Sequence, residues 1–269
     1  LTPLLRRIAH RYFRFLGKSA TELTGPSMKV QEYFEMCGVH KSVNVVPNPV
    51  ELDIFNPTNL NQKHITAIRN KYGVAEDETL VSFCGRLGKE KSVDVLLDYW
   101  AKYVKKDDKL RLMILGGGPC LSELIEQSKR LGIGQQVIFT DTIPHEELPD
   151  YYGACQLYIT ASLSDTNSIS MKEAMATGLP VLHIKDPLNA GQVVDGVNGF
   201  IYSNAEEMYA LLKRYQAMTD KEKNTLTSSV INSVKIYGCE ALAKYLIDVY
   251  EKAILEKKEK PSARRKKVG

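Results

Sequence analysis

Two basic side chains in one short segment, Arg86 and Lys91, have the types and spacing to bind a phosphorylated ligand. The segment, residues 85–91, follows an apolar run that predicts a β-strand and leads into a predicted helix. An arginine fork with a lysine point charge suits a diphosphate, and a helix N-terminus also favours anions. A solvated charged loop is the other interpretation, and these two residues alone favour neither.

Two acidic side chains, Asp165 and Glu173, lie in a second turn and in the predicted helix after it. Glu173 points about 160° away from the small, apolar face of that helix, so its carboxylate lies in solvent or turns into a cleft between domains. Carboxylates are natural acceptors for sugar hydroxyls, although a plain surface glutamate is the commoner reason for such a position. The residues of the apolar face are Met171, Ala174, Met175 and Gly178.

Two further turns could contact a ligand through their backbone. Residues 116–119 read Gly-Gly-Gly-Pro between a predicted strand and a predicted helix, and glycines permit close backbone approach. The spacing is neither a dinucleotide fingerprint nor a P-loop, so a tight turn explains it about as well. The polar residues 140–144 follow the next strand and could hydrogen-bond the edge of a base.

The elements that must position these turns are short apolar strands alternating with amphipathic helices. This alternation predicts a doubly wound, Rossmann-like α/β fold with a parallel sheet covered on both faces. In such a sheet ligands bind outside the carboxyl ends of the strands, where these four turns lie. The predicted strands are 80–84, 112–115, 137–139, 157–160, 181–184 and 200–202. The predicted helices are 90–104, 120–131, 145–154, 168–177, 190–195, 204–217, 220–235 and 239–257.

The composition excludes several classes of protein. The 269 residues are 43% hydrophobic and 25% charged, and no apolar run approaches the roughly 20 residues that span a bilayer. The five cysteines are scattered without a Cys-x-x-Cys pair, and the histidines show no metal-ligand spacing. We therefore expect no disulfide framework, no metal site, and a cytoplasmic location.

The net charge of +4 is distributed unevenly. Residues 1–18 carry +5 and residues 257–269 carry +6, which leaves −7 on the body of the chain. A nucleic-acid-binding domain carries its basic stripe on the fold itself, so we expect no nucleic acid partner. Apolar residues at helical spacing within 1–18 predict a basic amphipathic helix that either lies on an anionic membrane or is a core helix without its covering domain. The tail is either attracted to the same surface or is a disordered, solubilising stretch.

The segment around the two acids resembles the donor-binding signature of family-4 retaining glycosyltransferases. Residues 164–181 read SDTNSISMKEAMATGLPV, and the family pattern is E-x7-E followed by A-M-A-x-G-L-P-V. The connector VPNPV at 46–50, the turn at 85–91 and the glycine turn at 117–119 occur in the same order and spacing as in that family. The resemblance covers residues 19–255 and implies half of a two-domain GT-B enzyme that binds a nucleotide sugar.

The resemblance implies a catalytic role for three side chains. Arg86 and Lys91 match the residues that neutralise the departing nucleotide diphosphate, which is electrostatic stabilisation of the developing charge. Asp165 matches the first glutamate of the signature, which contacts the donor sugar. The arginine and lysine replace a metal, so the resemblance implies neither a metal nor another cofactor.

The resemblance also implies a set of donor-binding residues. Glu173 matches the residue that binds the ribose hydroxyls, and Ile143 matches the one that contacts the base through its backbone. Gly117 lies in the glycine turn on the same side of the sheet. The backbone groups that would meet the phosphates belong to Asn167, Ser168 and Ile169.

The sequence departs from the family pattern in three places. Asp165 is one methylene shorter than glutamate, which shortens its reach. Thr-Asn-Ser at 166–168 replaces the usual Gly-Phe-Gly and is more similar to the signature of bacterial diacylglycerol glucosyltransferases. Residues 185–190 replace a glycine-rich loop. The lipid-linked subgroup would also account for the basic helix at 1–18.

We expect five parts along the chain. Residues 1–45 are a remnant of an N-terminal, acceptor-side domain, 46–60 a connector, 61–236 the nucleotide-sugar-binding domain, 237–256 a C-terminal helix and 257–269 a basic disordered tail. The expected activity is retaining hexosyl transfer from a nucleotide sugar such as UDP-glucose to a lipid or glycan, at the inner face of the plasma membrane. The isolated chain is expected to bind nucleotide weakly and to transfer no sugar. A non-catalytic nucleotide-sugar-binding or regulatory subunit, or an epimerase of the same architecture, are the alternatives.

Overall fold

A computed structural model describes residues 3–259, which divide into two compact units. The larger unit runs from Val50 to Gly238, and the smaller combines the residues up to Pro49 with those from Cys239 onward. The strands are β1 Leu23–Gly25, β2 Val43–Val45, β3 Thr79–Cys84, β4 Leu110–Leu115, β5 Val137–Phe139, β6 Leu157–Thr160, β7 Val181–Ile184 and β8 Gly199–Tyr202. The helices are α1 Pro3–Ser19, α2 Met28–Met36, α3 Gln62–Lys71, α4 Val93–Tyr103, α5 Leu121–Arg130, α6 Leu148–Gly153, α7 Ile169–Ala176, α8 Ala205–Ala217, α9 Asp220–Val234 and α10 Cys239–Glu259.

The larger unit is built on a six-stranded sheet whose strands are all parallel. Their order is β5-β4-β3-β6-β7-β8, so the direction of winding reverses between β3 and β6. Open α/β sheets bind ligands at this reversal, outside the carboxyl ends of the strands. The predicted doubly wound, Rossmann-like fold is confirmed.

The strands read as continuous apolar runs because both faces of the sheet are buried. In β3, Leu80 and Val81 are fully buried and Phe83 nearly so, and α4 adds Leu96 and Trp100 to the same core. The small, apolar face predicted for α7 is also buried in this core. Burial of large apolar side chains stabilises a fold by about 1.5–3 kcal/mol each, so this core fixes the positions of the strand ends.

The helix predicted at 190–195 is wrong. A short 3-10 turn at Pro187–Asn189 is followed by irregular chain up to β8. Gly191 and Gly196 have φ angles of 94° and 74°, in the left-handed region that interrupts a helix. The side chain of Asn198 accepts a hydrogen bond from the amide of Val194 at 2.7 Å, so a local side-chain contact replaces the helical one. The structure also adds α3, which the sequence analysis did not assign.

The smaller unit contains α1, α2, α10 and a two-stranded parallel sheet of β1 and β2. Ser27 caps α2, because its hydroxyl accepts a hydrogen bond from the Lys29 amide at 3.4 Å. The basic helix predicted at the start of the chain forms as α1, and six of its apolar side chains are exposed. They are Leu4, Leu5, Ile8, Tyr12, Phe15 and Leu16.

The boundaries between the parts differ from those expected. The predicted connector at 46–60 is not a free linker throughout, because Val50 and Phe55 are buried in the core of the larger unit. The helix expected at 237–256 runs from Cys239 to Glu259, so the predicted disordered tail begins as helix, and its remainder lies outside the described residues. Over residues 3–259, no helix has both the length and the apolarity needed to cross a bilayer.

Candidate functional site

The turn after β3 carries Arg86 and Lys91 at the carboxyl edge of the sheet, as expected. The surroundings of the two side chains differ. Arg86 is exposed, and its guanidinium pairs with the Glu90 carboxylate at 2.7 Å, an i,i+4 pair whose side chains are 69% and 42% exposed. Lys91 pairs instead with Asp165 from the turn after β6, and these side chains are only 23% and 17% exposed. The structure therefore brings Lys91 and Asp165 into direct contact.

Backbone hydrogen bonds fasten the turns after β3, β4 and β5 to one another. The amide of Leu87 donates to the carbonyl of Gly117 at 2.8 Å, and the amide of Gly116 donates to the carbonyl of Asp141 at 3.0 Å. Gly116 has a φ of 126°, and a Cβ there would overlap the carbonyl oxygen of Gly85. Glycine is thus required at position 116 by close contact between main chains.

A pocket of about 310 Å³ opens where these turns meet. Among the residues that line it are Arg86, Gly117, Thr142 and Ile143. Three residues predicted to bind the donor therefore share one cavity at the carboxyl edge of the sheet. Ile143 is only partly buried.

The start of α7 is attached directly to the end of β3. Ser168 caps the helix by accepting a hydrogen bond from the amide of Met171 at 3.3 Å. Ser170 donates its hydroxyl hydrogen bond to the carbonyl of Cys84 at 2.8 Å. Asn167 is 6% exposed and Ile169 is 48% exposed. The backbone segment that we expect to meet the phosphates therefore begins at a buried residue and ends at a solvent-exposed one.

Glu173 is buried. The sequence left open whether its carboxylate lies in solvent or turns into a cleft, and its burial excludes a plain surface position. It is 6% exposed, and its carboxylate accepts a hydrogen bond from the Tyr152 hydroxyl at 3.4 Å. The Nε2 atom of His145 lies 3.3 Å from the same carboxylate. Burial raises the pKa of Glu173, and the contacts with His145 and Tyr152 oppose that rise.

His145 and Tyr152 were not singled out from the sequence. His145 is 48% exposed by its side chain and also lies 3.8 Å from Glu51, so it links the buried carboxylate to the surface. Its position two residues after Ile143, at the mouth of a predicted ligand-binding turn, was the available signal. Tyr152 is fully buried in a helix, where nothing in the sequence distinguishes it from a core tyrosine.

Lys172 is a further residue that sequence reasoning missed. It is 1% exposed, and its ammonium donates a hydrogen bond to the side chain of Asn167. The same ammonium lies 4.1 Å from the centroid of the Tyr237 ring, a cation–π contact. Burial lowers the pKa of Lys172 to about 7, from an ordinary 10.5. The turn that precedes α7 thus contacts a buried lysine through the side chain of Asn167.

We expect Lys172→Met to raise the free energy of unfolding at pH 6 by about 1–2 kcal/mol, because an apolar side chain of similar volume avoids the desolvation of an ammonium. The wild type binds fewer protons when folded than when unfolded between pH 7 and 10, so its stability rises with pH over that window and the advantage of the variant shrinks. Urea denaturation at pH 6 and pH 9 measures both effects. The exposed Lys63→Met is the control, and a Lys172 variant less stable than wild type at pH 6 would contradict the expectation.

The loop after β7 holds the turn that carries Asp165. The side-chain amide of Asn189 donates to the carbonyl of Asp165, and that of Gln192 donates to the carbonyl of Thr166 at 3.3 Å. Gln192 also donates to the side chain of Asn189 at 2.8 Å. This is the loop that departs from the glycine-rich family pattern.

The arrangement combines cations, a buried carboxylate and a pocket at the carboxyl edge of the sheet. Of the four charged residues predicted, Lys91 and Asp165 contact each other, while Arg86 and Glu173 engage other partners. Within residues 3–259, no three histidine, cysteine, aspartate or glutamate side chains cluster in a way that could hold a metal ion. Such a site can bind a diphosphate through its cations and hydroxyl groups through its carboxylate.

Residues 64–227 match the model of the family described as glycosyl transferases group 1. The chain is 30% identical over 233 residues to an alpha-monoglucosyldiacylglycerol synthase from Streptococcus pneumoniae, covering 86% of this chain and 52% of that protein. It is 25% identical over 222 residues to the protein of the same name from Acholeplasma laidlawii, covering 79% and 55%. A solved structure of HepE from Anabaena in complex with UDP and glucose superimposes with a TM-score of 0.78 at 20% identity, covering 90% of this chain and 66% of that one. The chain spans about half the length of the curated relatives it matches.

Proposed function

Because this chain belongs to the group 1 glycosyl transferases, we propose that it is the donor-binding part of a retaining hexosyltransferase. The observation that carries the proposal is the pocket at the carboxyl ends of β3, β4 and β5, which Arg86 lines, together with Lys91 on the same turn and the buried Glu173 on α7. The cations would bind the diphosphate and stabilise it as it leaves, without a metal or another cofactor.

The proposed donor is a UDP-sugar, with UDP-glucose as the leading candidate. The solved HepE structures contain UDP, glucose or UDP-glucose, which supports this choice. Ile143 and Gly117 line the pocket that would hold the base, and the Glu173 carboxylate would accept hydrogen bonds from the ribose hydroxyls. The backbone from Asn167 to Ile169 would meet the phosphates.

The proposed acceptor is a membrane lipid. The relatives in Streptococcus pneumoniae and Acholeplasma laidlawii are named for a glucosyldiacylglycerol product, which favours a lipid over a soluble glycan. The exposed apolar side chains of α1, interleaved with arginines, suit a surface of anionic lipid. We therefore propose a cytoplasmic protein that works peripherally at the inner face of the plasma membrane.

Titration calorimetry with UDP tests the donor site. We expect Arg86→Ala to weaken UDP binding about five- to tenfold, because a charge-assisted contact to the diphosphate is lost while its partner Glu90 stays solvated. Lys89→Ala is the matched control, since Lys89 is an exposed cation of the same turn outside the pocket. Equal affinity of the Arg86 variant and wild type would remove Arg86 from the site, and absence of UDP binding by wild type would overturn the proposed function.

A further inference from the structure

We propose that Asp165 is a positioning residue that occupies Lys91 in the free protein and must be displaced by the diphosphate of the nucleotide. This inference rests on the proposed function, because it concerns the same donor site. It assigns Asp165 a role other than the sugar contact implied by the family signature. The observation behind it is the direct ion pair between Lys91 and Asp165, which joins the turns after β3 and β6.

The Lys91–Asp165 pair is shielded in a way that the neighbouring Arg86–Glu90 pair is not. The side chains of Lys91 and Asp165 are 23% and 17% exposed, against 69% and 42% for the other pair. Exposed ion pairs are screened by water and salt and contribute little, whereas partly buried ones are screened much less. An anion that binds Lys91 must therefore compete with the Asp165 carboxylate, whose attraction to the ammonium is only weakly screened.

The turn that carries Asp165 is also fixed, so the carboxylate stays near Lys91. Its carbonyl accepts a hydrogen bond from Asn189, a residue 8% exposed, and the next carbonyl accepts one from Gln192. These contacts come from the loop after β7, across the turn. Asp165 is one methylene shorter than the glutamate of the family pattern. In this protein its carboxylate contacts the Lys91 ammonium.

The two possible roles of Asp165 differ in what they predict for UDP, which lacks the transferred hexose. A residue that only contacts the donor sugar has no effect on UDP affinity. A residue that competes with the diphosphate for Lys91 lowers UDP affinity by occupying the ammonium that the phosphates need. Removal of its charge must then tighten UDP binding, and only while Lys91 is present.

Calorimetry with UDP on the full chain measures this. We expect Asp165→Asn to tighten UDP binding about five- to tenfold. The gain in UDP affinity should vanish in the Lys91→Met background, because Asp165→Asn then has no ammonium to release. Asp94→Asn removes one exposed carboxylate from the first turn of α4 and controls for a general change in charge, so we expect its effect to stay below about twofold.

Each outcome decides the question. Tighter UDP binding by Asp165→Asn that depends on Lys91 supports the inference. UDP binding by wild type with equal or weaker binding by Asp165→Asn overturns the inference and leaves the donor site in place. No UDP binding by wild type overturns the proposed function and the inference together. Asp165→Ser removes the same charge with a smaller side chain and replaces Asp165→Asn if thermal unfolding shows that variant to be misfolded.

Discussion

We expect the replacement of Glu173 with alanine to weaken the binding of UDP about 30-fold, because hydrogen bonds to a charged group contribute about 1.5–3 kcal/mol and each 1.4 kcal/mol is tenfold in affinity. The carboxylate is 6% exposed and already ordered by Tyr152 and His145, so it would accept hydrogen bonds from ribose hydroxyls at little further cost in entropy. Titration calorimetry gives the dissociation constants. Glu146→Ala, an exposed glutamate in the 3-10 turn beside His145, is the control.

The pH dependence of the same binding gives a second measurement. Burial raises the pKa of Glu173, so a proton occupies the carboxylate at a higher pH than usual and would weaken it as an acceptor for the ribose hydroxyls. The UDP affinity of wild type should therefore fall more steeply toward acid pH than that of Glu173→Gln, which has no such proton to gain. Comparing the two proteins cancels the titration of the phosphate itself. Similar UDP affinities for Glu173→Ala and Glu146→Ala would exclude Glu173 from the site.

We expect the replacement of Gly116 with alanine to lower the free energy of unfolding by about 3 kcal/mol, since a side chain there is strained by the backbone angle and overlaps a neighbouring main chain. Gly116 has a φ of 126°, and an added Cβ would meet the carbonyl oxygen of Gly85, which is backbone and cannot swing aside. The Gly116 amide also donates to the carbonyl of Asp141, so the turns after β3 and β5 shift together.

Urea or thermal denaturation measures this loss. Gly134→Ala is the matched control, because a Cβ at Gly134 would make only ordinary contacts, the nearest at 3.7 Å from the Lys129 side chain. We expect that control to change stability by less than about 0.5 kcal/mol, as surface substitutions usually do. If Gly116→Ala and Gly134→Ala are equally stable, then the close approach of the two main chains is not a constraint on this fold.

The sheet was predictable because its strands are buried on both faces. Strands β5, β6 and β7 have the predicted bounds, since a continuous apolar run that ends at a polar turn leaves little choice of boundary. The helix predicted at 190–195 failed because two glycines in left-handed conformation and the cap made by Asn198 outweigh a weak pattern. Local side-chain contacts of that kind are not visible in hydrophobic periodicity.

The candidate site was predictable in its position and less so in its contacts. Parallel strands end at one edge, so the turns that carry Arg86, Asp165 and Ile143 had to lie there. Partners across the sheet depend on side-chain packing between distant segments, as with Lys91 and Asp165. Lys172 is the extreme case, because a buried lysine beneath a turn depends on Asn167 and on a tyrosine from a far segment of the chain.

The hydrogen bonds that fasten the turns after β3, β4 and β5 determine how the pocket would discriminate among nucleobases. Leu87 bonds through its amide to Gly117 and through its carbonyl to the amide of Cys120, so the pocket wall is set before any ligand arrives. A preorganised wall loses little conformational freedom on binding, and it cannot adjust to a larger ring system. Preference for pyrimidine over purine nucleotides should therefore come mainly from slower dissociation of the fitting base, with similar association rates for both.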